Sequence, residues 1–323
     1  AAEVGKEVIL LEKAPYLGGR VARTYQYFPK LCPPTCGLEI NFRRIKDNPR
    51  IHVLTLSEVE AVSGEPGAYE VTIRQNPRYV NEKCTACGDC AEACSLMIPN
   101  DFNLDMNQTK AAYLPFSMAF PMRYVLDPQI LGTEDADKCK AACKYDAVDL
   151  DMQPQTLTAK VGAIVVATGW RPYDAKKLDT LGFGRFPNVI TNVMMERLAS
   201  RNGPTEGKIL RPSDKKPVKS VIFAQCAGSR DENHLAYCSG VCCLASMKEA
   251  SFVLEQNPDA KIKIFYIDIR AMGKLEDFYN RFKDDERVEF IKGKVAKIEE
   301  DAATQDPIVE AEDTLSGEKI RAQ

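Results

Sequence analysis

The sequence predicts an α/β protein: two parallel-sheet units of the kind that bind dinucleotides, with a smaller cysteine-rich α+β module inserted in the first. Three observations carry this. Short apolar strands alternate with helical stretches, at Glu7–Glu12, Gly162–Gly169, Pro217–Gln225 and Lys261–Asp268. The cysteines fall in tight clusters between those strands. The length, 323 residues, holds about two domains, or three if one is small.

Composition narrows the class. Hydrophobic residues make up 45% and charged residues 28%, a globular balance that excludes disordered and fibrous chains. The formal net charge is -3, with 43 basic and 46 acidic residues interspersed, so no basic stripe points to nucleic acid. The longest apolar run, Gly162–Gly169, is far short of the roughly 20 residues a membrane helix needs, so membrane association is expected only through partner subunits. Twelve cysteines stand against two histidines, His52 and His234. That ratio disfavours imidazole-based chemistry. A chain this rich in ordinary core residues does not need disulfide stapling. Clustered cysteines are ligand spacing, and the compartment expected is a reducing cytoplasm.

The first strand, Glu7–Glu12, follows Gly5 and ends in an acid, as in the second half of a βαβ unit. At that strand tip a carboxylate binds an adenosine ribose hydroxyl. The Gly-rich phosphate turn should lie some 20 residues upstream, so the chain, which starts without Met or signal peptide, reads as an internal portion of a longer protein. Glu12-Lys13 is followed by Gly18-Gly19-Arg20; glycines let the backbone approach a pyrophosphate and Arg neutralises it. Gly162–Gly169 is a continuous apolar run closing on Ala167-Thr168-Gly169, as expected of a buried parallel strand.

The run Cys84–Cys94 spells C-x2-C-x2-C-x3-C with Cys87 and Cys90 between. Three thiolates at this spacing wrap one face of a cubane, whereas zinc sites come as two separated pairs. A second, partial run follows at Cys139 and Cys143. In paired runs the last cysteine of each serves the other cluster. This makes Cys84, Cys87, Cys90 and Cys143 the favoured [4Fe–4S] ligands, with Cys94 the alternative fourth ligand. The 44 residues between the runs, 95–138, are long for a compact ferredoxin. They include Met- and aromatic-rich 113–124, which fits either a loop packed on the first unit or a docking surface for another subunit.

The strand Pro217–Gln225 should open a second Rossmann-like unit, with a helix from near Gly240 through Gln256, a strand at 261–267, a helix at 275–285 and a strand at 288–292. No G-x-G-x-x-G follows the first strand. Instead Cys226, Cys238, Cys242 and Cys243 gather at the strand–helix turn. A helix N-terminus stabilises thiolates and anionic clusters as it does pyrophosphate. A second [4Fe–4S] cluster is expected there, in place of NAD(P)H.

The features of the first unit together resemble the FAD domain of the two-dinucleotide-binding flavoproteins of the thioredoxin reductase kind. That resemblance implies that Ala167-Thr168-Gly169 passes close to the flavin and that backbone at Val59 holds the adenine. It implies four segments: 1–78 and 153–212 as the FAD-binding domain, 79–152 as an inserted ferredoxin-like iron–sulfur module, and 213–323 as the second Rossmann-like domain. Gln225–Asp231 with Tyr237–Cys243 resembles the A subunit of heterodisulfide reductase, in which the equivalent four cysteines ligate a cluster. Tyr27–Phe42, Met118–Tyr124 and Asp313–Lys319 are similar to its relative, the flavoprotein A subunit of the quinone-interacting membrane-bound oxidoreductase of sulfate reducers. The resemblance implies FAD, two [4Fe–4S] clusters and electron transfer between adenylylsulfate reductase and a menaquinone-linked membrane subunit, beside a second flavin/iron–sulfur subunit. It also implies a cytoplasmic location peripheral to the inner membrane. The alternative is a heterodisulfide-reductase-like, electron-bifurcating subunit. Cys32 and Cys36, in C-x3-C stiffened by two prolines, are either a redox pair near the flavin or free thiols.

Overall fold

The structure, a computed structural model, describes residues 1–323 as two compact units: Ala1–Arg23 with Pro34–Trp170, and Thr24–Pro33 with Arg171–Gln323. Each is a mixed α/β body without a closed barrel. No helix is long and apolar enough to cross a membrane.

The first unit begins with β1 (Val8–Glu12), α1 (Gly19–Arg23), α2 (Thr35–Asp47) and β2 (Ile51–Thr55). β1 and β2 pair in parallel, Val8 opposite Ile51 and Glu12 opposite Thr55, as the helical crossover between them requires. A hairpin of β3 (Ser57–Glu65) and β4 (Ala68–Gln75) follows. The cysteine-rich part comes next: α3 (Asp89–Ala93), β5 (Met97–Pro99), β6 (Gln108–Lys110), β7 (Ala112–Tyr113), β8 (Val125–Leu126) and α4 (Glu134–Ala142). β9 (Gln155–Val161) then returns to pair antiparallel with β4. Cys90, Cys94, Cys139, Ile98, Leu126 and Ile130 share one buried core.

The long stretch between the cysteine runs packs within its own unit. Phe102 and Phe116 meet Tyr16 edge-on, at centroid distances of 5.5 and 5.4 Å, a favoured aromatic geometry. With Ala22 and Ala119 they form a second core. Arg78 joins the same regions. Its buried guanidinium donates to Pro15 O, to Thr55 Oγ1 at 2.8 Å and to Arg123 O at 3.3 Å. Burial, with Arg123 nearby, lowers its pKa to about 10.

One expectation is corrected. Gly162–Gly169 is not a buried parallel strand. β9 ends at Val161, residues 163–170 belong to no strand, and Val165 and Val166 are 85% and 80% exposed. Apolar composition favours burial but supplies no ladder. The partner strand runs out here: Val161 already faces Tyr69, one residue from the start of β4, and the last bond runs from Gly67 N–H to Gly162 O.

The second unit contains α5 (Asn192–Ala199), β10 (Ser220–Ala224), α6 (Cys242–Gln256), β11 (Lys261–Tyr266), α7 (Glu276–Lys283) and β12 (Val288–Lys292). β10, β11 and β12 form a parallel sheet in that order. An antiparallel meander follows, of β13 (Val295–Glu300), β14 (Pro307–Glu312) and β15 (Lys319–Ala322). α6 is buried along most of its length through Met247, Ala250, Phe252 and Val253. The segment Thr24–Pro33 lies on this core. Tyr25 contacts Phe252 and Phe28 contacts Phe278, at 5.0 and 4.8 Å.

A buried ion pair fixes that segment. Lys248 Nζ meets Glu196 Oε1 with both side chains buried. The other carboxylate oxygen, Oε2, accepts the N–H groups of Tyr25 and Gln26 at 2.8 and 3.3 Å, and Lys248 Nζ donates to Gln26 O at 2.7 Å. Removing one partner strands a charge in the interior. Lys248→Met is expected to cost about 3–5 kcal/mol in anaerobic urea unfolding. A loss below about 1 kcal/mol, the value of an exposed pair, would contradict this.

Candidate functional site

The first cysteine group is built by a loop, a short helix and a distant helix end. Ala86 and Gly88 take left-handed conformations, φ 57 and 96, so the loop curls around its own sulfurs. Cys90 lies in the first turns of α3, and Cys143 caps the C-terminal end of α4. Cys84, Cys87, Cys90 and Cys143 line one cavity together with Tyr124 and Tyr145. Two of the sulfurs already accept backbone donors: Ala86 N–H to Cys84 Sγ at 3.4 Å and Ala147 N–H to Cys143 Sγ at 3.3 Å. Lys144 pairs with Asp89 at 3.0 Å and Lys83 with Asp146 at 3.0 Å, tying the two runs together. Burial pushes the Cys90 thiol up to about 12, and the charges of Cys84, Cys87 and Cys143 add to it.

Cys94 and Cys139 stand behind this cavity, in the α3–α4 interface, at 2% and 0% exposure. Cys139 Sγ donates to Cys90 O at 3.2 Å, and Cys94 Sγ to Leu96 O at 3.7 Å. Burial first, then Cys94 and Cys90, push the Cys139 thiol up to about 12. Ser95 holds the interface by donating N–H and Oγ–H to the Asp135 carboxylate, at 3.0 and 2.9 Å.

The second group forms at the end of β10 and the head of α6. Cys226 is buried with φ 55, Cys238 is exposed, and Cys242 and Cys243 open the helix. No side chain caps that helix start, so its first N–H groups face the cysteine turn. Gly240 N–H donates to Cys238 Sγ at 3.4 Å, Ser239 Oγ lies 2.9 Å from Cys242 Sγ, and Cys243 Sγ donates to Asp268 O at 3.4 Å. Burial raises the Cys226 thiol and Cys242 adds to it, while Arg230 opposes. Cys243 is raised by burial, then by Cys242, Cys226 and Cys238. Arg230 itself is held by Asp268 at 2.6 Å. Across the molecule all twelve cysteines are free thiols. No group of three or more His, Cys, Asp or Glu side chains is gathered to hold a single metal ion; four thiolates around a four-iron cluster stand farther apart than four around one ion.

The third set surrounds the end of β1. Glu12 Oε1 accepts the N–H of Ala14 at 2.8 Å, and Lys13 pairs with Glu58 at 2.8 Å, beside Val59 on β3. Gly18 has φ 103, and a Cβ there would meet Ala22 and Leu38 at 3.2 and 3.3 Å. The conformation therefore favours glycine, and a Cβ would also press on these two neighbours. Arg20 Nε donates to Trp170 O at 2.7 Å, with its guanidinium over the Trp170 ring. This draws the glycine turn and the end of Ala167-Thr168-Gly169 together, although that segment is exposed. Cys32 belongs to the second unit and donates weakly to Lys30 O at 3.7 Å. Cys36 belongs to the first, exposed in the first turn of α2.

Motif spacing did not single out Tyr124, Ser239, Arg230 or Asp268, which touch or face these sulfurs. In the sequence Ser239 and Arg230 lie between cysteines of the second group, Asp268 ends an expected strand and Tyr124 closes the aromatic stretch, but their place beside the sulfurs is a three-dimensional signal.

No family model matches the chain. Curated proteins do. The chain is 40% identical over 331 residues to the first of two CoB–CoM heterodisulfide reductase iron-sulfur A subunits of Methanopyrus kandleri, covering 100% of this chain and 49% of that protein. It is 38% identical to the corresponding A chain of the CoB–CoM heterodisulfide reductase of Methanocaldococcus jannaschii, covering 99% and 49%. It is 40% identical to the A chain of the H(2)/formate:CoB–CoM heterodisulfide,ferredoxin reductase of Methanococcus maripaludis, covering 97% and 48%. Relatives over the whole chain are thus A subunits of heterodisulfide reductases, which are oxidoreductases. The chain spans about half the length of the curated relatives it matches.

Because Cys143 lines the cavity and Cys94 does not, Cys143→Ser is expected to damage the first centre more than Cys94→Ser. Iron content and the low-temperature EPR signal of each variant read this out. Loss with Cys94→Ser and none with Cys143→Ser would show ligation within the first run alone.

Proposed function

We propose that the chain is the FAD and iron–sulfur electron-transfer portion of a multi-subunit oxidoreductase. One [4Fe–4S] cluster sits at Cys84, Cys87, Cys90 and Cys143, and a second at Cys226, Cys238, Cys242 and Cys243. The flavin lies along Glu12, Lys13, Gly18, Gly19, Arg20, Val59 and Ala167–Gly169. This takes 1–78 and 153–212 as a flavin-binding domain of the two-dinucleotide kind, 79–152 as its ferredoxin-like insertion, and 213–323 as a second Rossmann-like domain. The observation that carries the reading is the convergence of four cysteines from two separate runs on one cavity.

The donor sets fit such groups. Both cysteine groups combine buried sulfurs with backbone N–H donors, the arrangement that stabilises sulfur-held charge. Bound FAD and clusters supply two-electron and one-electron storage. Around them the chain's own groups set charge and access. Arg230 offsets negative charge at Cys226. Ser239 lies within hydrogen-bond reach of Cys242 Sγ. The Glu12 carboxylate stands at the strand tip for a ribose hydroxyl, and the Gly18-Gly19 turn leaves room for a pyrophosphate.

Within this reading, electrons pass between adenylylsulfate reductase and a menaquinone-linked membrane subunit, with the protein cytoplasmic and peripheral to the membrane through its partners. The stretches 27–42, 118–124 and 313–319 support that version. The alternative version is a heterodisulfide-reductase-like bifurcating subunit; the relatives are named as A subunits of heterodisulfide reductases. Cys32 and Cys36 receive no catalytic role.

The protein at full length, purified anaerobically, is expected to contain FAD and about eight iron atoms from these two sites. About four would remove one site, and stoichiometric zinc with no iron would overturn the reading. NADH and NADPH are expected not to reduce the flavin, because Cys226 and the cysteines at the mouth of α6 occupy the turn a pyrophosphate needs. Rapid stoichiometric bleaching on anaerobic mixing would contradict this.

A further inference from the structure

One buried ionisable group of the second unit has no part in the scheme above. Glu249 lies on α6, seven residues beyond Cys242. Seven residues are nearly two full turns, which places it on the face of Cys242 and about 10 Å along the axis. It is 1% exposed, and its Oε1 has no hydrogen-bond partner. Its charged neighbours are Glu196 from α5 and Lys248 from α6 itself. Those two neutralise each other, and Lys248 also serves Gln26 O. From the overlying segment Thr24–Pro33, Tyr25 and Gln26 are bound to Glu196 and Lys248 through backbone groups.

Two carboxyl groups, Glu196 and Glu249, therefore share one cation, Lys248. Burial, then the Glu196 charge, raise the Glu249 carboxyl well above the usual carboxylate range, and Lys248 only partly opposes them. Glu249 is the member of the trio whose charge can change without breaking an ion pair. Charges about 10 Å apart still act on one another in a protein interior, where the effective dielectric is far below that of water.

We propose that Glu249 is the redox-linked proton acceptor of the centre at Cys226, Cys238, Cys242 and Cys243. An electron arriving at that centre from a partner flavin or iron–sulfur carrier raises the proton affinity of Glu249. Between the affinities of the two redox states, one proton from solvent bonds to the carboxylate oxygen for each electron gained. On oxidation the O–H bond breaks and the proton leaves. The centre and Glu249 together then gain no net charge. The inference rests on the proposed cluster at these four cysteines.

The test is anaerobic redox titration of the full-length protein, with the second centre followed by EPR from about pH 6 to about pH 10, above the usual carboxylate range. The wild-type midpoint potential is expected to be level at the acidic end and to fall as pH rises. In Glu249→Gln, which keeps the shape and removes the titration, it is expected to stay level. A level wild-type curve, or the same slope in both proteins, would overturn the proposal. Should Glu249→Gln fail to fold, the reduced-minus-oxidised infrared spectrum of the wild type serves instead. It is expected to show a carboxylic C=O band at alkaline pH, and its absence would overturn the proposal. A missing second EPR signal, by contrast, would overturn the cluster assignment itself.

Discussion

Four sulfurs from two distant stretches of chain meet at one cavity because α3 packs on α4, and the candidate chemistry of the first unit depends on that packing. The interface is held by buried thiols that are not themselves at the cavity. Cys139 bonds the carbonyl of Cys90, and Cys94 lies beside it. Four thiols drawn together have an electrostatic problem. Cys90, the buried one, loses hydration and meets the charge of Cys84, Cys87 and Cys143, so it is pushed far from ionisation. Positive charge placed among the sulfurs reverses that balance, as a bound metal does for a coordinating thiol.

The second unit meets the same problem with a different scaffold. A parallel strand ends at Ala224, two residues before Cys226, and a fifteen-residue helix opens on Cys242 and Cys243. A helix start offers partial positive charge and free N–H groups, and Arg230, anchored by Asp268, adds a full charge nearby. The body of the helix is buried against the sheet, which fixes the turn in space. Its middle also carries the Lys248 pair that binds the backbone of Tyr25 and Gln26.

Parts of this were legible in the sequence for clear reasons. Cysteine spacing is local, so the wrap of Cys84, Cys87 and Cys90 can be read directly, and so can the run from Cys238 to Cys243. The parallel strands of the second unit appear where expected, β11 and β12 within a residue of their expected bounds and β10 starting three residues later. What escaped depends on contacts between distant residues. Nothing in the local pattern marks Arg78 as the donor to three regions, Tyr124 as a wall of the cavity, or Glu196 as the partner of Lys248. Gly162–Gly169 failed differently: its composition describes a buried strand, but pairing is a property of the neighbour, and β4 has only Ala68 left beyond Tyr69.

Where iron sits relative to the twelve thiols decides what the two cysteine groups do. Anomalous X-ray scattering at the iron edge, from crystals grown anaerobically, reads this most directly. Two compact iron peaks are expected, one among Cys84, Cys87, Cys90 and Cys143, the other among Cys226, Cys238, Cys242 and Cys243. A peak beside Cys94 and Cys139, a single peak, or none at the head of α6 would contradict it.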